Sequence, residues 1–93
     1  MRVLRGQAKG ALACDTTSQV LMQARDTRKY VLITNASDVV IWLAFGVPAV
    51  IGQGIGIPAG GAYEIEDPNM WAGIITAIAA TGTGKVAAFQ EFY

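Results

Sequence analysis

The chain is predicted to be all-β, a compact antiparallel β-sandwich or jelly-roll-like barrel of about seven short strands, and three observations predict it. Short segments rich in β-branched and aromatic residues recur, and Tyr30 to Asn35 (YVLITN) is the strongest of them. Between them lie clusters of Gly, Pro, Asn and Asp, whose backbone preferences suit turns. The longest apolar stretch, Val39 to Tyr63, has no charge in 25 residues, yet Gly46, Pro48, Gly52, Gly54, Gly56, Pro58, Gly60 and Gly61 interrupt it. Glycine costs about 1 and proline about 3 kcal/mol in a helix interior, so neither a membrane helix nor a buried one fits this stretch.

Taken in order, residues 1 to 17 have no clean period and read as an N-terminal arm or irregular first element, with residues 18 to 93 as the core of a single domain spanning 1–93. Ser18 to Ala24 (SQVLMQA) reads as the first strand, and the polar run after it as a turn. Tyr30 to Asn35 follows, then the turn Asn35-Ala36-Ser37-Asp38, whose side chains bond their own backbone. Val39 to Phe45 (VVIWLAF) is the next strand, expected to form a hairpin with its predecessor. Val39, Ile41, Leu43 and Phe45 then point one way and Val40, Trp42 and Ala44 the other. Neither set is polar.

Residues 46–54 are a loop, and Ile55–Ile57 and Ala62–Glu66 are short strands around the turn Pro58-Ala59-Gly60-Gly61. Asp67-Pro68-Asn69 is a further turn, because the residue before proline is driven to extended geometry. Ile74 to Ala80 (IITAIAA) fits helix or strand by period alone, and the glycines on either side favour a strand. Thr81 to Lys85 reads as a hairpin turn into a last strand, Val86 to Phe92.

Composition narrows the mode of life. Of 93 residues, 53% are hydrophobic and 15% charged, against about 25% charged in ordinary soluble domains. A lone small domain is short of polar surface at that ratio, and covering part of it with other chains resolves the shortfall. Net charge is zero, but Arg2, Arg5, Lys9, Arg25, Arg28 and Lys29 against Asp15 and Asp26 give residues 1–29 a charge of +4. Lys85 against Asp38, Glu64, Glu66, Asp67 and Glu91 gives the remainder −4. A basic leading segment on an acidic body suits contacts between copies or with an acidic lattice.

Little catalytic chemistry is available. There is no histidine, and the single Cys14 has no partner for a disulfide or a base to activate it. Gly82-Thr83-Gly84-Lys85 lacks the spacing of a phosphate-binding loop, since Ala79 and Val86 hold the places of its first glycine and its hydroxyl residue. Gly52-Gln53-Gly54-Ile55-Gly56 lacks dinucleotide-binding spacing, and Pro58 denies it a following helix. Glu64, Glu66 and Asp67 are the sole acidic cluster and read as a solvated strand edge rather than a calcium site. Arg5 and Lys9 interrupt any leading apolar core, which argues against a secretory signal and against lipidation at Cys14. No enzymatic activity, cofactor, metal, nucleic acid or membrane is expected.

The series YVLITNASDVVIWLAFG, GIGIPAGGAYEIEDP and WAGIITAIAATGTGKVAAFQEF resembles a class of small bacteriophage virion proteins. Their pattern is a strand ending in "ITN", a turn, a strand "I-W/Y-L-x-x-G", a glycine-rich turn and an "A-I-A-A-T-G-T-x-x-V" stretch. The resemblance spans Tyr30 to Phe92, two thirds of the chain, and rests on turn glycines and apolar strands. It implies a structural component of the virion, assembled in the host cytoplasm: a decoration or cement protein that binds the major capsid protein or other virion proteins. It also implies a homo-oligomer, with a trimer as one form. A neck, tail or connector component is the alternative within the same particle. A carbohydrate-binding attachment module is the alternative outside it, to be distinguished by whether Trp42, Trp71 and Tyr63 share one exposed groove. The residues expected at protein interfaces are Val40, Trp42, Phe89 and Tyr93, with Arg2, Arg5 and Lys9 as charged contacts.

Overall fold

The structure is a computed structural model that describes residues 6–66 and 71–93. Eight strands and no helix are found there: β1 (Gln7–Cys14), β2 (Gln19–Met22), β3 (Tyr30–Asn35), β4 (Ile41–Phe45), β5 (Ile55–Ile57), β6 (Ala62–Glu66), β7 (Ile75–Ala79) and β8 (Lys85–Phe92). They form two antiparallel four-stranded sheets, ordered β1-β8-β3-β6 and β2-β7-β4-β5. That is jelly-roll connectivity, with nearly every connection carrying the chain from one sheet to the other. Only residues 46–54, between β4 and β5, return to the same sheet.

The core lies between the sheets. Val31, Ile33 and Ile65 from the first sheet meet Ile41, Leu43, Ile57, Ile75, Ala77 and Ala79 from the second, with Cys14 and Met22 among them. The side-chain period of two makes this set legible in β3, where burial alternates from Tyr30 to Asn35. In β7 all five residues are buried, so both of its faces are covered.

Three expectations need correction. Residues 7–14 are not an arm but the edge strand β1, in unbroken register with β8 from Gln7 opposite Phe92 to Cys14 opposite Lys85. Their period of two is weak in the second half of the strand, where Ala11 and Ala13 face outward between inner Gly10, Leu12 and Cys14, so hydropathy scarcely alternates there while burial does throughout. Residues 1–5 lie outside the described residues, as does the turn at Asp67-Pro68-Asn69. Second, β3 and β4 are not a hairpin. Their connection crosses between sheets, because Asn35, fully buried, donates from Nδ2 to the carbonyls of Val39 (2.7 Å) and Ile57 (2.8 Å). Its Oδ1 accepts from the Ser37 amide and hydroxyl, which makes the expected side-chain-capped turn, but as a corner. Third, Thr81 to Lys85 is likewise a corner between sheets.

Four corners, at 15–18, 36–40, 58–61 and 80–84, stack at one end of the sandwich. Asn35 exchanges backbone hydrogen bonds with Gly60 and Gly61 there, and the Lys85 ammonium donates to Asp38 at 2.7 Å. The connections at 23–29 and 46–54 belong to the opposite end, as do the described residues 71–74.

Candidate interaction surface

The loop at 46–54 does not stand clear of the sandwich. It folds back over the outer face of the second sheet, the face that carries Val20, Trp42, Ala44, Thr76 and Ile78. Thr76 is the anchor: its hydroxyl lies 2.7 Å from the Val47 carbonyl and 3.3 Å from that of Ala44. The Ala49 amide donates to Ser18 Oγ at 2.8 Å, and Ala49 is buried. The Gly46 amide donates to the Ile74 carbonyl. Gly54 closes the return. Its φ is +84°, and a Cβ there would strike the Leu43 carbonyl oxygen, so only glycine fits.

A loop pinned at these points holds its remaining side chains outward. Val47 is 58% exposed, Val50 47%, Ile51 45% and neighbouring Val20 41%. Two shallow depressions flank the ridge that Val47 and Pro48 make. One, of about 240 Å³, is bounded by Ser18, Val20, Ile74 and Thr76; the other, of about 150 Å³, by Ala44, Val50 and Gln53. None of these residues is charged. The surface is therefore apolar, uneven and fixed in advance, which lowers the ordering cost of docking a partner.

The residues expected at interfaces do not share one surface. Trp42 lies on the outer face of the second sheet, with its ring over Gly56, where a Cβ would come within 2.8 Å. Val40 sits in the corner before β4, its carbonyl accepting from the Ala80 amide. Lys9 is exposed on the outer face of the first sheet. Phe89, by its register opposite Ile33, turns inward and packs, partly buried, against the core over Gly10. Tyr93 is held at the chain's last position, with the Arg25 guanidinium 3.9 Å above its ring and its backbone paired to Gly6. Arg2 and Arg5 lie outside the described residues.

Trp42, Trp71 and Tyr63 are also separated. Trp71 covers Gly46 and Gly73 and stacks through Phe45 (6.3 Å) toward Tyr63 (6.4 Å from Phe45), on the inner side of β4. Trp42 faces away from that row. A shared sugar-stacking groove is not formed by these three residues.

Sequence reasoning missed a buried ion cluster. Arg28 and Glu91, both almost fully buried, meet at 2.8 Å, and Arg25 Nε donates to the other Glu91 oxygen at 2.5 Å. Arg28 also donates to the carbonyls of Gln23, Trp71 and Gly73. Glu91 holds the Arg25 guanidinium pKa above its ordinary value. The cause is geometric. β1 and β8 are eight residues long and the strands facing them at most five, so the first sheet overhangs the second. The connections at 23–29 and 71–74 fill the overhang, and Arg28 ties both to β8.

No protein-family model and no curated protein matches this chain.

Proposed function

We propose that the chain is a structural component of a bacteriophage virion, a capsid decoration or cement protein that stabilises the head by binding the major capsid protein or other virion proteins. The observation that carries this reading is the uncharged ridge at 46–54, pinned by Thr76 and Ser18 with Val47, Val50 and Ile51 turned to solvent. Aliphatic side chains held outward on a fixed backbone suit a protein partner: apolar burial contributes about 25 cal/mol per Å² before ordering costs are subtracted. On a repetitive shell, modest contacts multiply through simultaneous engagement. Two further points support the reading. The sequence pattern from Tyr30 to Phe92 resembles small virion proteins, and jelly rolls recur in viral capsid domains, although a fold alone does not assign a function.

The experiment compares virions assembled in cells that supply the chain as wild type or as the Val47→Asp/Val50→Asp double variant. Both positions are exposed, so the variant keeps its fold, which circular dichroism verifies. The wild type is expected to sediment with purified particles in fixed proportion, and the variant to remain in the soluble fraction. A wild-type chain absent from the particles, or a variant retained as well as wild type, contradicts the proposal.

A further inference from the structure

A sheet edge presents unpaired N–H and C=O groups, and proteins blunt such edges with short strands, bulges, proline or charge. Three of the four edges here are treated in this way. β2 has four residues and a register shift between Val20 and Met22. β5 has three residues, Gly56 among them, and runs directly into Pro58. β6 carries Glu64 and Glu66 on its exposed positions. β1 is the exception. It is eight residues long and regular, Lys9 is its sole charge, and its outer positions otherwise hold Gln7, Ala11 and Ala13. Its inner Leu12 is only partly covered.

We propose that β1 is a pairing edge for a second copy of this chain, joined antiparallel about a twofold axis into one continuous eight-stranded sheet. A second copy is the occupant that fits because β1 complements itself. Residues directly opposite in an antiparallel pair share a face, so the two outer faces align only in registers that place odd residues opposite odd ones. The register centred on Ala11 pairs residues 8–14 of both copies, setting Lys9 opposite Ala13 and Ala8 opposite Cys14. The two Lys9 side chains then stand four residues apart along the ladder, about 13 Å, beyond the screening length of about 8 Å at physiological salt. No like charges face each other, and the small Ala11 and Ala13 side chains leave the outer face open to close approach. Zero net charge adds no long-range repulsion between copies. This pairing is independent of the ridge at 46–54, which lies on the other sheet.

Two variants test it. Ala11→Lys places two ammonium groups directly opposite at the centre of the pair, on an exposed position that leaves the monomer's packing untouched. Sedimentation equilibrium is expected to show a wild-type dimer and a dissociation constant about tenfold or more higher for the variant. Ala11→Cys, in a Cys14→Ala background, sets two thiols at a separation that a disulfide spans, since opposite Cα atoms lie about 4.5–5.5 Å apart. Under mild oxidation it is expected to cross-link into a covalent dimer, whereas Thr83→Cys, exposed at a distant corner, does not. A wild-type monomer into the near-millimolar range overturns the proposal, as does a dimer unaffected by Ala11→Lys, or cross-linking no faster at Ala11 than at Thr83. Any dimer of those last two kinds uses another surface.

Discussion

Arg28 uses four of its five N–H donors inside the protein, on Glu91 and on three backbone carbonyls from two connections. Replacing it with alanine leaves a buried carboxylate facing only the partly exposed Arg25 and strips three carbonyls of their donor. Breaking a buried pair from one side costs about 3–5 kcal/mol, and Arg28→Ala is expected to lose that much in urea denaturation. Arg28→Lys rescues little, because an ammonium cannot reproduce the planar fork. Asp38 illustrates the opposite, exposed case. The hydrogen bond from Lys85 holds its carboxyl below the usual range. A depressed folded pKa means stability that is present above the unfolded value, about 3.9, and is lost as pH falls through the folded value. Thermal melts of Lys85→Met are therefore expected to fall less steeply than wild type below about pH 4, while the two proteins differ little in slope near neutrality.

At the scale of elements, strand positions were legible and their pairing was not. β3 and β8 stand where β-branched and aromatic composition put them, and their inner and outer positions differ in burial rather than in polarity. β1 was not legible, since alanine serves both its faces. The pairing of β3 with β4 misled for a specific reason. Asn-Ala-Ser-Asp carries the same side-chain-capped turn whether the chain doubles back in one sheet or turns a corner into the next. What decides is the long-range bond from Asn35 to Ile57, 22 residues on, and nothing local encodes it. The loop at 46–54 was legible as a loop but not as a lid. The oily outer side of β4, which composition assigned to neighbouring chains, is in part covered by this loop, and the remaining apolar surface moves onto the loop itself. Its shape depends on Gly54, and two alanine substitutions separate fit from backbone freedom. Gly52 also has a positive φ, +85°, but its surroundings are open. Gly52→Ala is expected to cost about 1 kcal/mol, and Gly54→Ala about 3 kcal/mol or more, because its Cβ meets backbone that cannot swing aside. Equilibrium unfolding of the two variants measures the difference.

For the whole molecule, the sandwich solves its polar deficit unevenly. The first sheet's outer face mixes Gln7, Lys9, Glu64 and Gln90 with Leu32, Phe92 and small side chains, and its Tyr30 hydroxyl donates to Glu64 at 2.6 Å. The second sheet's outer face has no charge at all along β4 and β5 or the loop that crosses it. Charge thus lies on one outer face and is absent from the other, with the edge strand β1 on the charged sheet. Of the candidate site, the uncharged stretch that supplies the ridge was visible in the sequence; the anchoring by Ser18 and Thr76, 31 and 29 residues from their partners, was not. Nor could spacing reveal that Phe89 turns inward, since each face of its strand mixes apolar and polar residues, with Glu91 on the inner face and Gln90 on the outer one.

The central claim is that the ridge at 46–54 docks on a neighbouring virion protein. Electron cryo-microscopy of virions assembled with the chain tests it most directly. The account predicts density for this sandwich repeated over the particle, with Val47, Val50 and Ile51 buried against the adjoining subunit. Particles without that density, or with the sandwich bound while those three side chains face solvent, would contradict it.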